Sequence, residues 1–243
     1  MIYNTIIHNY KKRKLFSLHI DPEKYDHYSL DHVIKLANDV KVDFILTGGS
    51  LLSDTLDHTI KTIKGYTDIP IVLFPGNLMQ ISHHADGILF LSLISGRNPD
   101  LLIGNHVLAA NMLKKSSLEV IPTGYILING GKTSSVEYIS NTKPIPEDKP
   151  EIISSTAMAG ELLGHSLIYI ESGSGASQPV YSEVIKHVKE HVNLPLIVGG
   201  GLKTPQDVQR VCRAGADMVV VGNAIEIYPE SLKSMASVIK EEL

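Results

Sequence analysis

The chain contains no tryptophan, one cysteine and four phenylalanines among its 243 residues. The single Cys212 excludes an intramolecular disulfide and a Cys-built metal cluster, and it fits a reducing compartment. An excess of positive charge is also missing. The formal net charge is −4, so no basic surface points to nucleic acid as a partner. No apolar run reaches the roughly 18 residues that a membrane-spanning helix needs. The first residues, MIYNTIIHNYKKRKLF, are too polar for a signal peptide, and their basic run follows the short apolar patch instead of preceding it. A cytoplasmic location is therefore expected. Repeats, low-complexity tracts and linkers are absent. The eleven histidines show no metal-ligand spacing; His83 and His84, for example, are adjacent and so point in different directions.

Apolar residues make up 43% of the chain, enough to bury a large core. They fall into short β-rich runs: LFSLHID (15–21), DFILTGG (43–49), PIVLFPG (70–76), GILFLSLIS (87–95), VIPTGYILI (120–128), LIYIESG (167–173), PLIVGGG (195–201) and MVVVGN (218–223). The runs are nearly continuous rather than alternating, which implies strands covered on both faces. Amphipathic segments separate them. SLDHVIKLANDV has Ser29 as a candidate N-cap. DTLDHTIKTIKGY follows the second strand and LLIGNHVLAANMLKK the fourth. Thr204 is a candidate N-cap with Pro205 at the first helical position. Strand–helix alternation implies a parallel sheet with helical crossovers. The expected fold class is α/β: a single TIM-type (β/α)8 barrel, one domain spanning residues 1–243. A Gly-, Ser- and Pro-rich stretch at 129–150 is long for a βα loop. It follows the fifth strand and emerges on the catalytic face, either as a substrate lid or part of a binding wall, or as an ordinary mobile insertion.

Three glycine-rich segments carry most of the functional signal. YIESGSGA (169–176) ends the sixth strand, VGGGLKTPQDV (198–208) the seventh and VVVGNAI (219–225) the eighth. Glycines let backbone N–H groups close on an anion, and the loops after strands seven and eight of a β/α barrel often hold phosphate. At the opposite side of the same mouth, Asp21 ends the first strand and Ser50 the second. Both offer hard oxygen ligands of the kind Mg²⁺ takes alongside water and substrate phosphates. Asp21 reads equally as a turn residue before Pro22, and Ser50 as a helix cap. Lys24 stands ready for a further phosphate. Glu171 lies within an apolar strand end beside the phosphate loops, where a carboxylate is costly unless partnered or catalytic. It is a candidate general base toward a substrate hydroxyl. Tyr169 shares its strand face and is a candidate hydrogen-bond donor to substrate. His19 shares the face of Asp21.

Together these segments resemble the geranylgeranylglyceryl phosphate synthase family, including its bacterial PcrB-like members. The resemblance runs through HIDPEK (19–24), LTGGSLL (46–52), IVLFPGN (71–77), FLSLISGRNPDLLIGNHV (90–107), IPTGYILI (121–128), YIESGSGA (169–176), VGGGLKTPQD (198–207) and VVVGNAIE (219–226). It implies a prenyltransferase of lipid biosynthesis that joins a polyprenyl group, with geranylgeranyl as the expected one, from its diphosphate to the 3-hydroxyl of sn-glycerol 1-phosphate, forming an ether-lipid precursor. It assigns Mg²⁺ as cofactor, held at Asp21 and Ser50. It assigns the glycerol phosphate to Tyr169, Ile170, Glu171, Ser172, Gly173, Ser174, Gly175, Gly200, Gly201, Gly222 and Asn223. Glu171 and Tyr169 become the catalytic pair, with Glu171 activating the hydroxyl. PcrB-like members often carry Lys two residues before the metal Asp, where this chain has His19. Its HIDPEK and SGRNP segments look closer to the second, archaeal-and-Bacteroidetes-like group. Arg97 and Asn98 are candidate diphosphate contacts. A prenyl groove is expected across the mouths of strands two to four. The family also implies a homo-oligomer and, because the product is lipid-like, transient membrane contact.

Two other readings share these motifs. One is a phosphosugar isomerase or aldolase on the same scaffold, although no Lys lies inside a candidate strand to form a Schiff base. The other is a non-catalytic glycerol-phosphate sensor, which would keep the glycine loops without needing Asp21, Ser50 and Glu171 together.

Overall fold

The computed structural model describes residues 1–242. The expected barrel is closed. Strands β1 (Leu15–Ile20), β2 (Phe44–Thr47), β3 (Ile71–Leu73), β4 (Gly87–Leu93), β5 (Glu119–Leu127), β6 (Leu167–Glu171), β7 (Leu196–Gly199) and β8 (Met218–Val221) pair in chain order, all parallel, and β8 returns to β1. The helices are α1 (Ile2–Asn9), α2 (His27–Val40), α3 (Asp57–Lys64), α4 (Asn105–Lys115), α5 (Ser135–Ser140), α6 (Pro150–Leu162), α7 (Ser182–His191), α8 (Pro205–Ala214), α9 (Asn223–Ile227) and α10 (Ser231–Glu241). Strand ends fall one to three residues inside the expected runs, because the trailing Gly, Asp and Ser residues belong to the loops.

Side chains alternate between two cores. Leu15, Phe44, Leu46, Val72, Tyr125, Tyr169, Ile197 and Val220 fill the barrel interior. Leu18, Ile45, Ile126, Ile168, Ile170 and Val219 face the helices. Two-sided burial is why the strand sequences read as continuous apolar runs. Helix α1 plugs the N-terminal end of the barrel. Its Ile2 and Ile6 join the interior core, and the Glu119 carboxylate accepts the Ile2 and Tyr3 N–H groups, the latter at 2.9 Å.

Helix starts follow local chemistry. Thr204 caps α8 as expected, with Pro205 at the first turn and Asp207 completing a reciprocal capping box. In α2 the cap is Asp26, not Ser29. Ser29 sits three residues in, and the two side chains exchange hydrogen bonds with each other's backbone. A Ser three positions inside a helix returns a bond to the cap as Glu does in the usual box, so the helix begins one turn earlier.

One crossover departs from the repeating pattern. Between β3 and β4 there is no α-helix, only a single 3₁₀ turn at Leu78–Gln80. The outer face of β4 is consequently left partly uncovered, and Phe90 and Ser92 are only half-buried. The 129–150 stretch holds α5, and Ile145 forms a parallel bridge with Ile128. It is a folded wall, not a loose insertion.

Candidate active site

Glu171 is the last residue of β6 and points into the barrel mouth. Its side chain is buried, 7% exposed, and one oxygen accepts the Tyr125 hydroxyl at 2.9 Å. Burial pushes its pKa up to about 7, and the Tyr125 hydrogen bond draws it back only in part. Tyr125 stands beside Tyr169 in the register of β5 against β6. Their rings meet edge to face with centroids 5.5 Å apart, while Phe74 stacks on Tyr169 at 5.1 Å. This aromatic cluster lines the cavity beside Glu171. Gly199 makes room for it: a Cβ there would lie 2.4 Å from the Tyr169 hydroxyl.

The glycine loops surround the carboxylate. Gly200 has φ +77°, and a Cβ on it would lie 2.9 Å from Cγ of Glu171. Asn223 ties two loops together. Its Oδ1 accepts the Gly175 N–H and the Ser174 hydroxyl, each at 2.9 Å. Ser174, Gly175, Gly200, Gly201, Gly222 and Asn223 all line one cavity of about 1050 Å³ together with Tyr169 and Glu171.

His19 connects this end to the other. A Cβ on Gly222 would lie 3.1 Å from His19 Nδ1, and His19 Nε2 donates to the Gly48 carbonyl at 3.0 Å. That donation requires the proton on Nε2, and burial lowers the pKa, so the ring is held neutral. Next to Gly48, a Cβ on Gly49 would lie 3.2 Å from Asp21 Oδ1. Asp21 therefore overhangs the loop that carries Ser50. Oδ1 also accepts the Glu23 N–H at 3.1 Å, so Asp21 does cap the turn Pro22–Lys24 as its place before Pro22 suggested. Ser50 lies well before α3 and caps no helix. Gln80 fixes this loop: it is buried, accepts the Gly49 and Gly76 N–H groups at 3.1 and 3.0 Å, and donates to the Gly49 carbonyl at 2.6 Å. Asp21, Lys24 and Ser50 line the same cavity as the glycine loops.

The cavity continues over the uncovered face of β4. Ile81, Ile88, Phe90, Leu101 and Ala109 form an apolar cleft between that strand and α4. His106 is its polar exception. One ring nitrogen meets Ser92 Oγ at 3.1 Å, while Nδ1 is buried without a protein partner. The α5 segment closes the side, with Ser134, Val136 and Ile139 on the lining. Asn98 lies here and binds the Ser140 carbonyl at 2.8 Å. Arg97 does not reach the cavity; it is exposed and donates to the Gly96 carbonyl at 2.7 Å.

Several expected contacts are placed otherwise. Ile170 faces the helices, since strand alternation turns it away from the mouth occupied by Tyr169 and Glu171. Ser172 and Gly173 are not among the lining residues. Tyr125, Phe74 and Gln80 went unmarked in the sequence: register brings Tyr125 beside Tyr169 and Glu171, Phe74 stacks on Tyr169 from the end of β3, and the turn after β3 carries Gln80 to Gly49. His187, Glu190 and His191 do place ligand atoms within 4.8 Å of one another, contrary to the absence of such a spacing, but on the outer helix α7.

The PcrB family model matches residues 8–241. The chain belongs to the PcrB family. Relatives from bacteria and archaea agree. The protein is 47% identical over 240 residues to the geranylgeranylglyceryl phosphate synthase of Spirosoma linguale, covering 98% of this chain and 96% of that one. It is 39% identical over 218 residues to the synthase of the same name from Pyrococcus furiosus, covering 89% and 86%. The crystal structure of (S)-3-O-geranylgeranylglyceryl phosphate synthase from Thermoplasma acidophilum, in complex with sn-glycerol-1-phosphate, superposes with a TM-score of 0.93 at 32% identity, covering 99% of each chain. Membership of the PcrB family extends over the whole barrel and includes every loop that lines the cavity.

Proposed function

We propose that this protein is a geranylgeranylglyceryl phosphate synthase-type prenyltransferase, a single-domain enzyme that alkylates the 3-hydroxyl of sn-glycerol 1-phosphate with a polyprenyl diphosphate. The observation that carries the reading is Glu171: a buried carboxylate with a raised pKa between the glycine loops and the Asp21–Ser50 rim of one cavity. The names of the relatives support the same substrates.

In this reading the monophosphate takes the loop N–H groups around Gly201 and Gly222, beside the Ser174–Gly175 turn that Asn223 holds, and the 3-hydroxyl points at Glu171. The oxygen of Glu171 that does not accept from Tyr125 removes the hydroxyl proton as the glycerol oxygen bonds to C1 of the prenyl chain. The C1–O bond to the diphosphate breaks, and pyrophosphate leaves with the bonding electron pair. Neighbouring Tyr169 and Phe74 exclude water from the allylic carbon. Holding both substrates in line supplies an orientation advantage. The apolar cleft from Ile81 to Ala109 takes the prenyl tail.

Asp21 and Ser50 fit a hard divalent ion. The carboxylate overhangs a loop where even a Cβ on Gly49 would crowd it, and both donors are oxygens. Mg²⁺ held there would neutralise diphosphate charge and improve the leaving group. Lys24 adds a fixed positive charge at the same rim.

No helix among the described residues is long and apolar enough to cross a membrane. Exposed Ile103, Val107 and Leu108 near the start of α4 support a homo-oligomer or transient contact with a lipid surface. A cytoplasmic location fits the lone free cysteine. The decisive experiment incubates the protein with labelled sn-glycerol 1-phosphate, Mg²⁺ and C10 to C35 polyprenyl diphosphates, followed by organic extraction. Label in the organic phase, abolished by chelation, is expected. No extractable label at any chain length overturns the reading.

A further inference from the structure

We infer that Glu226 is a positioning residue for the monophosphate end of the site, fixing the side-chain amide of Asn223 so that its oxygen, not its nitrogen, faces the Ser174–Gly175 loop. The inference rests on the function proposed above and assigns a role to a residue outside the cavity lining.

An Asn amide is nearly symmetric in shape and opposite in polarity at its two ends. At Asn223 the two ends meet different chemistry. The oxygen end accepts the Gly175 N–H and the Ser174 hydroxyl, both at 2.9 Å. The nitrogen end donates to Glu226 Oε2 at 3.0 Å. A backbone N–H can only donate and a carboxylate can only accept, so Gly175 and Glu226 select the same orientation from opposite sides. Without Glu226 the inverted amide would present two donors to a loop whose N–H already points inward. That loop would then move, and the phosphate donors with it.

Glu226 is retained where a carboxylate is not comfortable. It is half-buried, and burial together with the negative charge of Asp21 raises its pKa. The Tyr25 hydroxyl, buried without a hydrogen-bond partner, lies in the field of both Glu226 and Asp21. The carboxylate thus sits behind the rim, between Asn223 on one side and the segment after Asp21 on the other. Packing alone would favour an apolar residue here. The acceptor function accounts for the acid.

The test separates binding from turnover. Binding of sn-glycerol 1-phosphate to the intact protein is measured by calorimetry without prenyl substrate, and KM values for both substrates are measured alongside. For Glu226→Ala, affinity for sn-glycerol 1-phosphate should fall about tenfold, the size of a lost hydrogen bond to a charged group, with its KM rising in parallel. The KM for the polyprenyl diphosphate should stay within about twofold. Glu226→Gln, whose amide oxygen accepts the same N–H, should restore most of the affinity. Should Glu226→Ala fail to fold, Glu226→Met keeps the bulk, removes the acceptor and is measured in the same way. A lowered melting temperature with unchanged affinity would mark Glu226 as a structural brace and overturn the inference alone. Wild-type protein that binds no sn-glycerol 1-phosphate would instead overturn the function on which the inference rests.

Discussion

A carboxylate at the end of an apolar strand is a contradiction that the sequence displays openly, and the proposed chemistry concentrates on Glu171. Replacing it by Gln keeps size and the hydrogen bond from Tyr125 but removes the base. Turnover should fall by more than about tenfold, at least ~1.4 kcal/mol in barrier; wild-type turnover in a prenyl-transfer assay would remove Glu171 from the mechanism. The same variant should be more stable at alkaline pH. With the folded pKa raised to about 7, Glu171 stays protonated in the folded state at pH values where an unfolded Glu has already ionised. Stability is therefore full below the unfolded value near 4.3 and is lost as pH rises through about 7, by on the order of 3 kcal/mol. Melting curves should show Glu171→Gln above the wild type at pH 8, the gap closing toward pH 5. Tyr125 acts on this titration. Its hydroxyl stabilises the ionised carboxylate, so Tyr125→Phe should move the acid limb of the pH–rate profile to higher pH. An unmoved limb would show that the two groups are uncoupled during turnover. Tyr125 could not have been picked out beforehand. Its run, IPTGYILI, reads as strand, but its pairing with Tyr169 is a matter of register between segments far apart in the chain.

At the level of elements, the informative feature is a helix that is not there. The stretch after β3, FPGNLMQISHHAD, carries a Pro and a Gly and lacks an amphipathic stripe, and it folds with one 3₁₀ turn. Omitting that helix opens the outer face of β4 as an apolar cleft continuous with the mouth. Ala109 on α4 is buried against this cleft, and its small size keeps the space open. Ala109→Phe should shorten the longest prenyl chain accepted while leaving affinity for sn-glycerol 1-phosphate unchanged. Product analysis across C10 to C35 substrates checks this, and an unaltered product range would place the tail elsewhere. The 129–150 segment teaches the reverse lesson. Its Gly, Ser and Pro content reads as a loop, yet Ser134 caps α5 and Asn98 anchors the helix's last carbonyl. Long-range bonds of this kind leave no local trace in composition.

For the whole molecule, a barrel must be sealed at the end away from its chemistry. Helix α1 does this, and Glu119 at the start of β5 satisfies its first N–H groups. Glu119→Ala removes that cap across more than a hundred residues of sequence and should destabilise the fold by about 1–2 kcal/mol, the range of a lost N-cap. Chemical denaturation checks the value; an unchanged midpoint would mean that α1 docks through Ile2 and Ile6 alone. Nothing in the N-terminal segment's own sequence marked this role, because a plug is defined by the hole it fills.

The sequence by itself determined the order of the strands, the closed parallel barrel, and the two ends of the proposed site at Asp21–Ser50 and at the glycine loops. These follow from burial on two faces and from turn chemistry, which are local and periodic. Only the tertiary structure decided that Tyr125, Phe74 and Gln80 support the site, that Ile170 turns away, and that His19 bridges the two ends. Those outcomes depend on strand register, ring closure and loop packing, which bring together residues whose separation along the chain carries no signal of their contact.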